Sequence, residues 1–345
     1  MKARFLLSKS KVLENYNKVR GIADIVSYSF KTNTEVGKIL ELETDSYFTI
    51  ESLKSLQMLD KASSKRIFYY LQASSFDDLE YVFDLGVENF IVDNKFDLDT
   101  LLCFSKLKNK KINLLLRMKI KEKTIHTGKH FVFGMDSERI NSLIPILRKS
   151  ESINQLGVHF HRKTQNVAEW TLIEDVEEVL SKENLERIDL INIGGGLPSK
   201  YKNYELKHFE FILGKIKEFR EWVNKKGIKL IIEPGRFIAA SAVKLECEII
   251  AIYDNNIIVN CSVFNTAMDT FVLNLRLLVE DELKEGEGIQ YTIKGCTNDS
   301  MDIFRYKVYL PEKKVGEKIV FLNAGAYNYA TDFCGLEKLE TIIVD

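Results

Sequence analysis

Residues 22–43 read IADIVSYSFKTNTEVGKILELE. The apolar run from Ile22 to Phe30 reads as a buried strand, and a helical pattern from Glu35 to Glu43 follows almost at once. Lys31 therefore falls where a core strand ends and its loop begins. A lysine there is either solvated at a rim or enclosed in a pocket. Enclosed, its ammonium loses hydration, its pKa falls, and the amine becomes a nucleophile able to form a Schiff base with an aldehyde. A rim lysine reaching water is the commoner outcome, so the reading depends on what the rest of the chain places beside it.

The same strand-then-helix unit recurs along the chain. Further apolar strand candidates occur at 47–51, 66–73, 88–93, 112–118, 155–161, 187–193 and 229–233, with helical patterns at 51–60, 76–84, 97–107, 137–149, 168–181 and 205–226. The last helix stops at Lys225-Lys226-Gly227, basic charge and then glycine. About eight such units predict an α/β fold, a (β/α)8 TIM-type barrel. After about residue 245 the rhythm changes. Strand-like runs at 244–253, 256–263, 289–294, 305–310, 317–322 and 339–344 follow one another without long helices, which predicts an all-β domain. The expected division is a barrel over 9–245 and a β domain built from 1–8 and 246–345.

Composition narrows the function class. The 345 residues are 45% apolar, enough for a sizeable core, and the net charge of −1 offers no electrostatic argument for nucleic acid or an anionic membrane as partner. The five cysteines are scattered, with no C-x-x-C pair, as suits free thiols in a reducing cytoplasm. No apolar run is long enough to span a bilayer. The start, Met1-Lys2-Ala3-Arg4, leads into a short strand-like run rather than a signal peptide.

In a barrel of this kind, chemistry collects at the carboxyl ends of the strands. Arg117 ends Leu114-Leu115-Leu116. His159 and His161 end Leu156-Gly157-Val158 and alternate, so both are expected on one face. Gly194-Gly195-Gly196 ends Ile191-Asn192-Ile193, and Glu233-Pro234-Gly235-Arg236 ends Leu230-Ile231-Ile232. Glycines let backbone N–H groups approach and cradle a phosphate, or simply make a tight turn. Arg236 is able to pair the same phosphate or form a salt bridge. A buried Glu233 must be paired, either with Arg236 or with the protonated nitrogen of a pyridine ring. The histidines fit a metal poorly, because no matching ligand set stands out; a ring stacked on a flat cofactor and a satisfied core histidine are the competing readings. One ligand meets all the demands: a flat aldehyde bearing a phosphate and a ring nitrogen, pyridoxal 5′-phosphate.

These motifs resemble the fold type III pyridoxal-phosphate decarboxylases, the ornithine and diaminopimelate decarboxylase group, whose barrel is like that of alanine racemase. Phe30-Lys31-Thr32-Asn33 resembles the lysine motif, and Gly157-Val158-His159-Phe160-His161 with Thr164-Gln165 resembles the stacking-histidine strand. Asp299-Ser300-Met301-Asp302 resembles the aspartate-bearing loop of the β domain. Ala324-Gly325-Ala326-Tyr327 with Phe333-Cys334-Gly335 resembles the closing motif. The resemblance implies that Lys31 carries the aldehyde and that His161, supported by Arg117, stacks on the ring. It also implies that Glu233 pairs the ring nitrogen, favouring decarboxylation over racemisation. Thr164, Gly194, Gly195, Gly196, Arg236 and Tyr327 belong to the implied cofactor site. A head-to-tail homodimer is implied as well, with Asp299 reaching the partner's site.

Departures bear on the substrate. Asn298 stands where the family has a proton-donating cysteine, and Cys261 stands in place of an aspartate that reads a distal amine. Arg162-Lys163 replaces small neutral residues, and Phe131-Val132-Phe133-Gly134 lacks the usual Ser-Lys pair. Two substrate readings follow. One is an ornithine- or lysine-like amino acid, with diaminopimelate as an alternative, Asp299 reading the distal ammonium. The other is an amino-acid head on a larger anionic conjugate, such as the aminocarboxypropyl group of a microcin C-type peptide–nucleotide, met by Arg162 or Lys163. A non-catalytic homologue that regulates a partner is the reading from a different class.

Overall fold

The computed structural model describes residues 1–120, 133–206, 208–328 and 332–345; of Phe131-Val132-Phe133-Gly134, the first two lie outside them. The chain divides into two compact units. Asn17–Pro198 and His208–Gly235 form one; Met1–Tyr16, Ser199–Lys207 and Arg236–Asp345 form the other. Residues 9–16, 199–207 and 236–245, expected with the barrel, thus group with the second unit. Hydrogen bonds within that unit hold them: Asn15 Nδ2 donates to the Ile238 carbonyl and Ser241 Oγ, and Lys202 N to the Arg276 carbonyl.

Strand β1 (Arg4–Ser8) precedes the eight strands of the first unit. These are β2 (Ile25–Ser29), β3 (Tyr47–Ile50), β4 (Ile67–Tyr70), β5 (Asn89–Val92), β6 (Ile112–Arg117), β7 (Ile153–His159), β8 (Leu190–Asn192) and β9 (Lys229–Ile232). Each pairs in parallel with the next, and β9 closes on β2 as a barrel. The lysine motif folds as a single 3₁₀ turn, Phe30–Thr32, stopped by Asn33. The Asn33 side chain accepts from Glu35 N at 3.0 Å and Val36 N at 3.3 Å, so it caps the helix Thr34–Glu43. The helix expected over 51–60 is only Leu53–Leu56.

The barrel interior is filled at one level by Phe68, Ile91, Leu115, Leu190 and Ile231, with Ile25, Tyr47 and Tyr70 packed against them. Gly157 takes the β7 place, paired in register with Leu115 and Leu190. A Cβ there would press on the Leu190 backbone and come 2.7 Å from Leu115 Cδ2. The absence of a side chain at 157 is what lets bulky neighbours fill the layer.

The second unit adds β10 (Val243–Tyr253), β11 (Asn256–Val259), β12 (Leu278–Val279), β13 (Ile289–Lys294), β14 (Ile303–Leu310), β15 (Lys318–Leu322) and β16 (Glu340–Val344). The order is β12-β15-β10-β11-β13-β14, and β1 pairs antiparallel with β10 and parallel with β16. The strand expected over 256–263 ends at Val259, because Ser262 starts the short helix Val263–Thr266 through a capping box with Asn265. No helix among the described residues is long and apolar enough to cross a membrane.

Candidate active site

Side chains alternate along a strand, so the residue two places beyond a core position faces the same way. One step past Ile25, Tyr47, Phe68, Leu115, Gly157, Leu190 and Ile231 stand Ser27, Thr49, Tyr70, Arg117, His159, Asn192 and Glu233. The apolar layer of the barrel is thus capped at its carboxyl end by a polar one. Hydrogen bonds join it. Ser27 Oγ lies 2.8 Å from Thr49 Oγ1, and Thr49 Oγ1 donates to Glu233 Oε1 at 3.0 Å. Asn192 Nδ2 donates to the same oxygen at 2.8 Å, and His159 Nε2 lies 3.4 Å from Glu233 Oε2. The Tyr70 hydroxyl lies 2.7 Å from His159 Nε2.

Glu233 thus finds its partners, Thr49, Asn192 and His159, within the barrel, where one reading of the sequence offers Arg236. Burial pushes its carboxyl up, but His159 and the donors Asn192 and Thr49 outweigh burial and hold it below the usual range. Burial lowers His159 itself. We read the pair as a carboxylate beside a neutral imidazole, fixed chiefly by the amide and hydroxyl. Burial raises the Tyr70 phenol, so it stays protonated. The Arg117 guanidinium lies 5.9 Å from the Tyr70 ring centre and 5.1 Å from that of Phe133.

Two residues past Thr49 and His159 lie Glu51 and His161, and Lys31 lies two residues past Ser29, the last residue of β2. Lys31 is on the 3₁₀ turn, and its Nζ lies 2.9 Å from Glu51 Oε1. The lysine side chain is 56% exposed and its partner 27%. The sequence reading missed Glu51, Tyr70, Thr49 and Asn192; their signal was the two-residue offset from core positions. Strand β7 stops at His159, so His161 lies past the regular alternation on which its placement rested. Its Nδ1 accepts from Gly195 N at 3.2 Å. Burial, then the neighbours His159 and Arg117, push its pKa down to about 4, so the ring is neutral.

That depression has a consequence for stability. The folded state refuses a proton that the unfolded histidine takes near its ordinary pKa of about 6.5. His161 therefore costs nothing above that value, and stability falls as the pH drops from there toward 4. In cofactor-free protein, urea titrations at pH 7 and pH 5 are expected to show a smaller acid loss for His161→Gln. The difference should be about 1 kcal/mol after discounting for the half-buried ring. Identical pH dependence in the two proteins would refute it.

The glycines draw the ends of β7, β8 and β9 together. Gly194 and Gly196 have positive φ, 66° and 100°. Built Cβ atoms would lie 2.7 Å from the Phe160 carbonyl at 194 and 2.6 Å from that of Glu233 at 195. At 196 the carbonyl of Lys163 would be 2.6 Å away. Glycine is needed here for packing whatever the loop binds, and the Gly195 N–H is engaged by His161.

Arg162 and Lys163 do not add positive charge to the site, as their types suggested. The buried Arg162 pairs with Asp175 and lies 3.5 Å from Glu169, while Lys163 Nζ bonds Glu169 Oε1 at 2.7 Å. Two carboxylates answer two cations. Thr164 follows in the same loop, which Asn166 N ties to the Gly196 carbonyl at 2.9 Å.

The remaining predicted residues lie in the second unit. Arg236 is buried and bonded to Asp269 and to Tyr201 Oη, with its guanidinium 4.9 Å from the Tyr327 ring centre. Cys261 is 1% exposed, and burial with its neighbour Cys247 pushes its thiol well up. It is a core thiol, not the open substrate contact its sequence position suggested. In the aspartate loop, Asp302 is the pin: it accepts from Val263 N, Thr297 N and Thr297 Oγ1. Asp299 is half-buried and accepts from Met301 N, and Asn298 is exposed.

The barrel residues fit pyridoxal 5′-phosphate by their donor set. Lys31 offers an amine with a carboxylate at hand. Glu233 is an ionised acceptor whose Oε2 keeps lone-pair capacity for a ring N–H. His161 is a flat, neutral ring, and 194–196 is a loop bare of side chains.

A family model described as "Pyridoxal-dependent decarboxylase, pyridoxal binding domain" matches residues 13–240. The probable chloroplastic diaminopimelate decarboxylase of Oryza sativa subsp. japonica is 25% identical over 355 residues, covering 94% of this chain and 70% of that protein. Antizyme inhibitor 2 of Xenopus laevis is 25% identical over 349 residues, covering 90% and 74%. The fold is that of the lysine/ornithine decarboxylase of Vibrio vulnificus solved with putrescine, at TM-score 0.82 and 20% identity over 100% of this chain and 94% of that one.

Proposed function

The chain belongs to the pyridoxal-dependent decarboxylase family, and from that premise we propose that it removes the α-carboxylate of a diamino acid of the ornithine, lysine or diaminopimelate kind. Bound pyridoxal 5′-phosphate supplies the aldehyde that takes up an amino group and the ring that accepts the electrons a departing carboxylate leaves. The chain's own residues do the rest. Lys31 would hold the aldehyde, and Glu233 would pair the ring nitrogen and favour its protonated form. His161, supported by Arg117, would stack on the ring. Gly195, Gly196, Arg236 and Tyr327 would take the phosphate, with Thr164 and Gly194 also in the cofactor site. Asp299 of a homodimeric partner reads the distal ammonium.

The observation that carries this reading is the buried Glu233 carboxyl, whose Oε1 accepts from Asn192 Nδ2 and Thr49 Oγ1 in the polar layer of the barrel. A carboxylate kept charged in a buried place stabilises a cation set against it. The anionic-conjugate reading loses its main support, because Asp175 and Glu169 already compensate Arg162 and Lys163. The non-catalytic reading keeps Asn298 and the likeness to an antizyme inhibitor in its favour.

One screen separates them. Protein loaded with the cofactor is offered L-ornithine, L-lysine, meso-diaminopimelate and L-arginine, and carbon dioxide is measured. Release from at least one is expected. Release from none of them, with a normal visible cofactor band, would overturn the diamino-acid reading.

A further inference from the structure

Glu51 is the residue of this site with no assigned task. It lies two places past Thr49, at the end of β3, and its Oε1 touches Lys31 Nζ at 2.9 Å. The charged groups acting on it come from neighbouring strand ends, Lys31 after β2 and Glu233 after β9, while the Tyr70 phenol on β4, itself raised in part by Glu51, stays neutral. In water the ammonium of a lysine and a glutamic acid differ by about six pH units in pKa, too far for easy proton exchange. Here the gap narrows from the glutamate side. Burial raises the Glu51 carboxyl; Lys31 lowers it by less, and the negative Glu233 adds to the rise.

Resting on the reading that Lys31 carries the cofactor aldehyde, we propose that Glu51 is the proton partner of Lys31. An N–H bond of the Nζ ammonium breaks and an O–H bond forms on the carboxylate, leaving a neutral amine and a carboxylic acid. The reverse transfer restores the ammonium when the lysine is released. No other reactant is needed. The pair is pre-arranged in the free protein at hydrogen-bond distance, so the nucleophile is made without waiting for solvent to remove a proton.

Glu51→Gln is the direct test, since an amide oxygen keeps the hydrogen bond to Nζ but takes no proton at neutral pH. The readout is the rate at which the visible band grows when cofactor-free protein is mixed with pyridoxal 5′-phosphate, followed from pH 6.5 to 10. Capture by Glu51→Gln is expected to be slower by about 10²-fold at pH 7, with the deficit shrinking as solvent base takes over at high pH. Glu51→Asp should recover most of the rate. A rate equal to wild type, or a deficit that is the same at every pH, would overturn the proposal; the latter would mark Glu51 as a positioning residue alone. Should Glu51→Gln fail to fold, judged by circular dichroism, the Glu51→Asp profile decides on the same terms. Borohydride reduction and peptide mapping of the wild type come first. Absence of label on Lys31 would defeat the underlying reading and leave a distinct signature from a failure at Glu51.

Discussion

Lys31→Ala is expected to lower decarboxylation by on the order of 10³-fold or more and to leave no cofactor attached after borohydride reduction. The loss is one of chemistry, not of fold. Lys31 is more than half exposed, on a turn that Asn33 and the following helix hold in place. Its ion pair with Glu51 involves a largely exposed ammonium and is worth about 1 kcal/mol or less. The melting temperature of the cofactor-free protein should therefore barely move. What goes is the amine that tethers and orients the aldehyde, together with its proton exchange with Glu51. Added methylamine should restore part of the activity, because a free amine replaces the nucleophile but not its orientation. A Lys31→Ala protein as yellow and as active as the parent would end the proposed function.

Glu233→Gln is expected to lower turnover by about 10²–10³-fold while the protein still binds cofactor. Glutamine keeps an oxygen for Thr49 Oγ1 and Asn192 Nδ2, so the polar layer stays connected. It removes the negative charge, and with it the reason for a proton to stay on a ring nitrogen set against it. Electron withdrawal then weakens, and carboxylate departure slows. The substitution should also act on Glu51, whose carboxyl loses a repelling anion and titrates at lower pH than in the parent. The check is turnover alongside the absorbance band and cofactor affinity. Unchanged turnover with unchanged affinity would show that Glu233 only fills the barrel.

The barrel was legible because its signal is local. Each strand announces itself as an apolar run and each helix by period and cap, and Asn33 or Ser75 marks a helix start by residue type. Lys31, His161, Glu233 and the 194–196 glycines were visible as polar or bare residues following apolar runs. The pairing of Arg162 with Asp175, and of Lys163 with Glu169, was not. Neither cation announces its partner, because the carboxylates come from the next loop and helix and meet them only on packing. Cys261 shows the same limit. Its neighbour Cys247 lies on β10, and nothing near position 261 in the chain says that the thiol is sealed.

The sequence by itself determined that eight strand–helix units precede a set of consecutive strands, and which strand ends carry an amine, a carboxylate and a glycine run. That is so because side-chain period and turn chemistry act within a few residues. Only the tertiary structure decided which charges answer one another. Closing β9 on β2 and stacking the strand ends sets Thr49 and Asn192 on Glu233 and leaves Arg236 to Asp269. Lys31 finds Glu51 across neighbouring strands, twenty positions along the chain. Partner choice among buried charges depends on shared burial and on a few tenths of an ångström of approach, and those quantities exist only once the chain has folded.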